Sequence, residues 1–90
     1  MAKASNMMLS VSNMEAGLVD KDWQDRTKGL LKAELKRKNV SYRDLAEKLT
    51  TLGVPESEAN IKNKISRGRF TAVFFVQCLV AIGVRELRLD

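Results

Sequence analysis

The sequence predicts an all-α protein, a compact four- to five-helix bundle that contains a helix-turn-helix. Three features of the 90 residues support this fold class. A single proline leaves room for long helices, apolar residues recur at helical spacing in four segments, and each segment ends at an Asn or a Gly. A chain of this length forms one small domain.

The first predicted helix runs from Trp23 to Lys38, with Asp20 or Asp22 as its N-cap and Asn39 at its end. Its core-facing positions recur at helical spacing and are Trp23, Thr27, Leu30, Leu31 and Leu35. We expect the leucines to fill the core and Trp23 to cover it.

The second predicted helix runs from Tyr42 to Leu52. Ser41 is the expected N-cap, in a capping box with Asp44, and Gly53 is the expected residue after the C-cap. Its predicted buried face consists of Leu45, Ala46, Leu49 and Leu52.

The third predicted helix covers residues 56–67, opened by Pro55 and closed by Gly68. Ile61 and Ile65 are its expected buried pair.

The fourth predicted helix runs from Thr71, its N-cap, to Ile82. Because residues 72–82 are apolar almost all round, we expect this fourth helix to be buried on most sides.

The two ends of the chain differ from the helical segments. Residues 1–19 are small, polar and methionine-rich, which predicts a flexible arm, open to docking on a protein partner, before a helix-turn-helix domain over residues 20–90. Residues 84–90 alternate around Arg88 and predict a short C-terminal strand or an extended tail. The longest nearly apolar stretch, residues 72–84, is 13 residues, and a transmembrane helix needs about 20. We therefore expect no membrane-spanning helix and a cytoplasmic location.

The composition excludes several kinds of chemistry. The chain has no histidine, the commonest general base and metal ligand, and its one cysteine, Cys78, cannot form an internal disulfide or a cysteine-rich metal site. Serine–histidine and cysteine–histidine catalysis are therefore excluded. We expect no enzyme, no cofactor and no metal site.

The charge distribution indicates a polyanionic partner. Sixteen Lys and Arg against eleven Asp and Glu give a net charge of +5. Residues 26–43 hold seven basic residues and one acid, and residues 60–69 hold four basic residues and no acid. Such patches suit DNA, RNA or an anionic membrane in general; for this chain we expect a nucleic acid and no membrane partner.

The outward face of the third helix carries the functional prediction. With Ile61 and Ile65 facing the core, five residues point away from it: Ala59, Asn60, Asn63, Ser66 and Arg67. These residue types read base edges in the major groove, since Asn pairs with adenine, Arg with guanine, and Ala with a thymine methyl group. The predicted phosphate contacts are Lys36, Lys38, Ser41, Tyr42, Arg43, Lys62, Lys64 and Arg69.

Two resemblances are carried by named residues. Ser41, Leu45, Ala46 and Leu49 resemble the Ser/Thr-x-x-x-Leu-Ala-x-x-Leu helix of lambda-repressor-like (Xre/Cro-type) helix-turn-helix proteins. The run Asn60-Ile61-x-x-Lys64-Ile65-x-Arg67-Gly68 resembles their recognition helix. A closer similarity is carried by Leu45-Ala46, Leu52-Gly53-Val54, Glu58-Ala59-Asn60-Ile61-x-Asn63-Lys64-Ile65-x-Arg67-Gly68-x-Phe70 and Phe74-Phe75-x-Gln77-Cys78-Leu79-x-Ala81-Ile82-Gly83. It extends over about residues 23–89 and is to an uncharacterised family of short bacterial proteins catalogued as a domain of unknown function. The chain departs from the repressor pattern because Thr50, Thr51 and Leu52 precede the turn glycine, which lengthens the connection.

These observations predict a small sequence-specific protein that binds double-stranded DNA, a homodimeric transcriptional regulator located on the nucleoid. The predicted dimer interface consists of Val73, Val76, Gln77, Val80, Leu87 and Leu89. The alternative is a protein–protein interaction module with a helix-turn-helix-like fold that does not read DNA. RNA binding is compatible with the charge, but no RNA-binding signature and few aromatic residues support it.

Overall fold

The computed structural model describes residues 13–89, with side chains from Asp20 onward. Over these residues the chain forms four helices and no strand: α1 (Asn13–Arg37), α2 (Tyr42–Thr51), α3 (Glu58–Arg67) and α4 (Ala72–Ala81). The predicted all-α class is confirmed. No helix in this described part is long and apolar enough to cross a bilayer.

All four helices contribute to one core. Its fully buried members include Leu31 of α1, Leu45 of α2, Ile61 of α3 and Cys78 of α4. The other buried apolar residues are Leu35, Leu49, Ile65, Phe74, Leu79 and Ile82. Burial of both isoleucines of α3, Ile61 and Ile65, confirms the predicted inward face of that helix.

Two residues expected at the core are instead exposed. Trp23 is 58% exposed because it precedes the first core leucine of α1 by two turns, and the Arg26 guanidinium lies 5.4 Å from its ring centre. Leu52 is 47% exposed because it is the C-cap of α2, beyond the last core leucine of that helix.

Three of the helices end in the same type of turn. A valine follows each helix, and its N–H donates to the carbonyl of a core leucine five residues earlier at 2.9 Å; these valines are Val40, Val54 and Val84. The residue before each valine has a positive φ, and these are Asn39, Gly53 and Gly83, the predicted helix ends. This is the Schellman arrangement, and all three valines pack on the core, which closes the helix ends against it.

Three of the helices begin with a hydroxyl cap. Ser41, Ser57 and Thr71 each accept a hydrogen bond from the backbone N–H three residues later, and Ser41 forms the predicted capping box with Asp44. The predicted start of the third helix at Glu56 is wrong. Because Ser57 caps α3, the helix begins at Glu58, and Pro55 lies in the connection.

The first helix begins ten residues earlier than predicted, at Asn13 rather than at Trp23. Once a helix is nucleated, each further residue adds a hydrogen bond at little cost, and residues 13–22 contain no proline. Side-chain pairs one turn apart support this extension, with Lys21 Nζ 3.2 Å from Asp25 and Gln24 Nε2 3.3 Å from Asp20. Residues 13–19 of the predicted arm are therefore helical, whereas residues 1–12 and the expected docking of the arm lie outside the described residues.

The segment after α4 lies along α1. The alternative of a short C-terminal strand is wrong for residues 84–89, because no other strand is present in the described part to pair with it. Instead, Arg26 donates to the Leu89 carbonyl at 2.6 Å, and Lys38 Nζ donates to the Gly83 carbonyl at 3.4 Å.

One side of α4 is buried and the other is exposed. Phe74, Cys78 and Leu79 lie in the core, whereas the three valines of α4 remain in solvent: Val73 (65% exposed), Val76 (55%) and Val80 (56%). The expectation that this helix is buried on most sides is therefore wrong for a single chain, because α1 and α2 pack against only one of its sides.

Candidate nucleic-acid interface

The outward face of α3 presents the five predicted base-reading residues together. All are exposed: Ala59, Asn60, Asn63, Ser66 and Arg67. Within the described part of the chain, no side chain of this face is engaged in a hydrogen bond or ion pair. The amides and the guanidinium are therefore available to an external partner.

The C-terminal end of α3 is fixed on α1. Gly68 caps the helix with a φ of 69°, and a Cβ at this position would lie 3.0 Å from the backbone oxygen of Gln24. Lys28 Nζ donates to the Ser66 carbonyl at 3.1 Å. A glycine is therefore required for both the conformation and the close approach, and it sets the position of the exposed face relative to α1.

A row of lysines lies along one side of α1 and reaches the C-terminal end of α3 through Lys28. Lys28, Lys32 and Lys36 are spaced four residues apart and so lie on the same side of the helix. Lys28 contacts the end of α3, while Lys32 and Lys36 line a groove of about 310 Å³. We call these three residues the lysine row. It extends from the end of α3 to the start of α2.

Lys28 and Lys32 were not among the sequence-predicted phosphate contacts. Their four-residue spacing from Lys36, within the strongly basic block, was the signal that could have found them. Ser41 and Tyr42, at the start of α2, line the same groove as Lys32 and Lys36. The structure thus brings two predicted phosphate contacts, Ser41 and Tyr42, next to the lysine row, and a third, Lys36, belongs to the row itself.

The remaining predicted phosphate contacts are in different surroundings. Arg43 is exposed in the first turn of α2, and Lys62 is exposed on α3. Lys64 is engaged within the fold: its Nζ lies 2.7 Å from Glu56 and 4.7 Å from the Phe74 ring centre. Lys38 reaches the Gly83 carbonyl, on another side of α1 from Lys36. Lys64 and Lys38 are therefore less available to phosphate than Arg43 and Lys62.

Arg69 and Arg67 border a groove of mixed charge at the C-terminal end of α3. The groove, about 400 Å³, also contains Asp20 and Asp25 of α1. Lys21 and Lys28 also line this groove, so its two carboxylates lie among four basic side chains. Arg67 lines this groove, whereas Asn60 and Asn63, nearer the N-terminus of α3, do not.

The helix pair α2 and α3 is packed together, as a helix-turn-helix requires. Six residues, 52–57, separate the two helices, whereas a typical helix-turn-helix turn has about three or four. The longer connection is held at both ends. Val54 closes α2 on the Leu49 carbonyl, and Glu56 pairs with Lys64 of α3.

The predicted dimer residues separate into two groups. Val73, Val76, Val80 and the half-buried Gln77 share the outer side of α4. Residues 87 and 89 lie on the C-terminal segment instead. The Leu87 side chain packs against the chain's own core, and the 60% exposed Leu89 is held through its carbonyl by Arg26.

The thiol of Cys78 lies in the core. Burial of the side chain raises its pKa from 9.0 to about 12, since a thiolate loses solvation there; the charge of Lys64 partly offsets this effect and Glu56 adds to it. A thiol with this pKa is a weak nucleophile at neutral pH. Among the described residues, no three acidic or cysteine side chains are grouped so that they could hold a metal ion.

Comparison with known proteins identifies one family. The family model described as a domain of unknown function, DUF6471, matches residues 23–87, a range that covers all of α2, α3 and α4. No curated protein and no solved structure matches the chain.

Proposed function

The chain belongs to the DUF6471 family, and we propose that it is a transcriptional regulator that binds specific sites in double-stranded DNA. One observation carries the proposal: the exposed outer face of α3 has no partner within the described domain, and the lysine row of α1 begins at the C-terminal end of this face, where Lys28 contacts the Ser66 carbonyl. A location on the nucleoid follows from such a function.

Direct readout is assigned to α3. In the major groove, Asn60 and Asn63 pair with the N6 and N7 positions of adenine, and Ala59 contacts a thymine methyl group. Ser66 pairs with either kind of base, and Arg67, at the edge of the mixed-charge groove, pairs with guanine.

Phosphate contacts are assigned to Lys32 and Lys36 of the lysine row, to the start of α2 and to Lys62 of α3. Lys32, Lys36 and Arg43 are exposed, and none forms an ion pair in the described part of the chain. Each phosphate that a basic side chain neutralises releases a condensed counterion, so the affinity for DNA falls as the salt concentration rises. Such phosphate contacts position the protein on the duplex without specifying its sequence.

The test compares two variants that each remove one positive charge, one in the lysine row of α1 and one in the C-terminal segment. Lys32→Gln removes a charge from the lysine row. Arg85→Gln removes a charge from the cleft formed by α1 and the C-terminal segment. Fluorescence anisotropy measures the affinity for duplex DNA as a function of salt concentration. We expect Lys32→Gln to weaken binding to all sequences. It should also lower the salt slope, the steepness with which the logarithm of the affinity falls with the logarithm of the salt concentration, by about one. Arg85→Gln should leave the affinity and the salt slope unchanged. Equal effects of the two variants, or no binding by the unmodified protein, would overturn the proposal.

Base reading needs a separate readout. Asn63→Ala should cost about 1–3 kcal/mol at one position of the binding site and relax the preference at that position only. Uniform weakening on all sequences would show that Asn63 contacts the backbone. The absence of any loss would remove α3 from the interface.

A further inference from the structure

The outer side of α4 is an apolar seam without a partner in the described chain. Its residues Val73, Val76 and Val80 are each more than half exposed and are spaced by three and four residues. This is the spacing with which one helix packs along another. Ala72 and Gln77 flank the seam and line a shallow groove with two of the valines.

The charge pattern selects the kind of partner. Residues 70–84 contain no charged side chain, in a chain with a net charge of +5. An acidic partner would bind the basic surfaces more favourably than this uncharged seam. Two copies of a chain with a net charge of +5 repel each other overall, and the seam of α4 is a place where they can meet without bringing like charges together.

The position of the seam within α4 makes it self-complementary. The midpoint between Val73 and Val80 coincides with the middle of the ten-residue helix. We propose that two copies of this chain associate through α4 in an antiparallel pair around a twofold axis at that midpoint. Val73 then packs on Val80 of the partner subunit, and Val76 packs beside Gln77 of the partner subunit, as in an isologous interface.

The size of the seam determines the strength of association. A ten-residue helix is about 15 Å long and about 10 Å across. One side of such a helix has less area than the roughly 800 Å² per partner that a stable interface buries. The dimer is therefore weak and dissociates on dilution. This proposal does not depend on DNA binding, and its test contains no DNA.

Sedimentation equilibrium of the full chain over a wide concentration range gives the first test. The average mass should rise from one chain towards two. Val76→Lys should weaken association by more than tenfold, while Leu52→Lys, which places the same charge at an exposed apolar residue outside α4, should leave it unchanged. A mass of one chain at all concentrations would overturn the proposal. Should removal of residues 1–12 then produce a dimer, the chain's own N-terminal segment would be identified as the occupant.

Cross-linking tests the antiparallel arrangement. Under mild oxidation, a mixture of Val73→Cys and Val80→Cys chains should form a disulfide between the two variants, because the paired positions face each other. Val73→Cys alone should not form one, since its two copies lie roughly 10 Å apart along the axis. The native Cys78 is fully buried and does not compete. Efficient linking of Val73→Cys to itself would overturn the antiparallel pairing.

Discussion

Replacement of Gly68 by alanine tests how α3 is positioned. Gly68 has a φ of 69°, and the added Cβ would lie 3.0 Å from the Gln24 backbone oxygen and 3.4 Å from its carbonyl carbon. The left-handed conformation costs a non-glycine residue about 1–2 kcal/mol, and overpacking against backbone adds about 1–3 kcal/mol. These costs sum to about 2–5 kcal/mol, and the smaller entropy of the unfolded alanine chain offsets about 0.4–1 kcal/mol. We therefore expect Gly68→Ala to lower the free energy of unfolding by about 2–4 kcal/mol.

Gly53→Ala is the matched control. Gly53 also has a positive φ, 85°, but a Cβ added there meets no atom within 4 Å. Its loss should be about 1 kcal/mol, from conformation alone, after allowance for the smaller entropy of the unfolded alanine chain. The difference between the two variants isolates the approach of α3 to α1.

Thermal or denaturant unfolding followed by circular dichroism measures both variants. A difference of 1 kcal/mol corresponds to about 4–8 °C in Tm for a domain of this size. Equal losses for Gly68→Ala and Gly53→Ala would refute the reasoning, because they would show that α1 yields to the added methyl group at no cost.

Three further predictions follow from single contacts. Ser57→Ala, which removes the cap of α3, should lower the free energy of unfolding by about 1 kcal/mol, measured by urea denaturation. Lys64→Ala should destabilise the fold, because Glu56 is left unpaired with only 15% of its side chain exposed. Lys62→Ala should leave stability unchanged and instead lower the salt slope of DNA binding by about one. The reverse pattern would be inconsistent with the observed ion pair between Lys64 and Glu56. Because the Cys78 pKa is raised from 9.0 to about 12, the folded state keeps a proton that the unfolded state loses above pH 9. Relative to Cys78→Ala, the unmodified protein should therefore lose about 1.4 kcal/mol of stability between neutral pH and pH of about 10, measured by denaturation at each pH; a constant difference would refute this.

Local signals made most helix boundaries predictable. Asn39, Gly53 and Gly83 mark helix ends because each occupies a left-handed position that the next valine completes. The start of α3 was mispredicted because Pro55 and Glu56 are also good helix starters, and the local sequence does not decide between them and Ser57. The early start of α1 was missed since no single cap marks it.

Tertiary packing determined what the sequence did not predict. The outward face of α3 follows from two isoleucines one turn apart, so its exposed residues could be placed in advance. The pairing of Lys64 with Glu56 depends on how the connection folds back on α3, which helical periodicity does not encode. The exposure of the α4 valines likewise depends on how few elements pack against that helix.

Capture of fragmented genomic DNA by the purified full-length protein at near-physiological salt, followed by sequencing of the bound pool, tests sequence-specific DNA binding most directly. The account predicts that the captured fragments share a motif and that Asn63→Ala relaxes it at one position. If α4 pairs two chains, the motif has two halves related by a twofold axis. Broad capture without a motif would contradict base reading by α3, and the absence of any capture would contradict DNA binding itself.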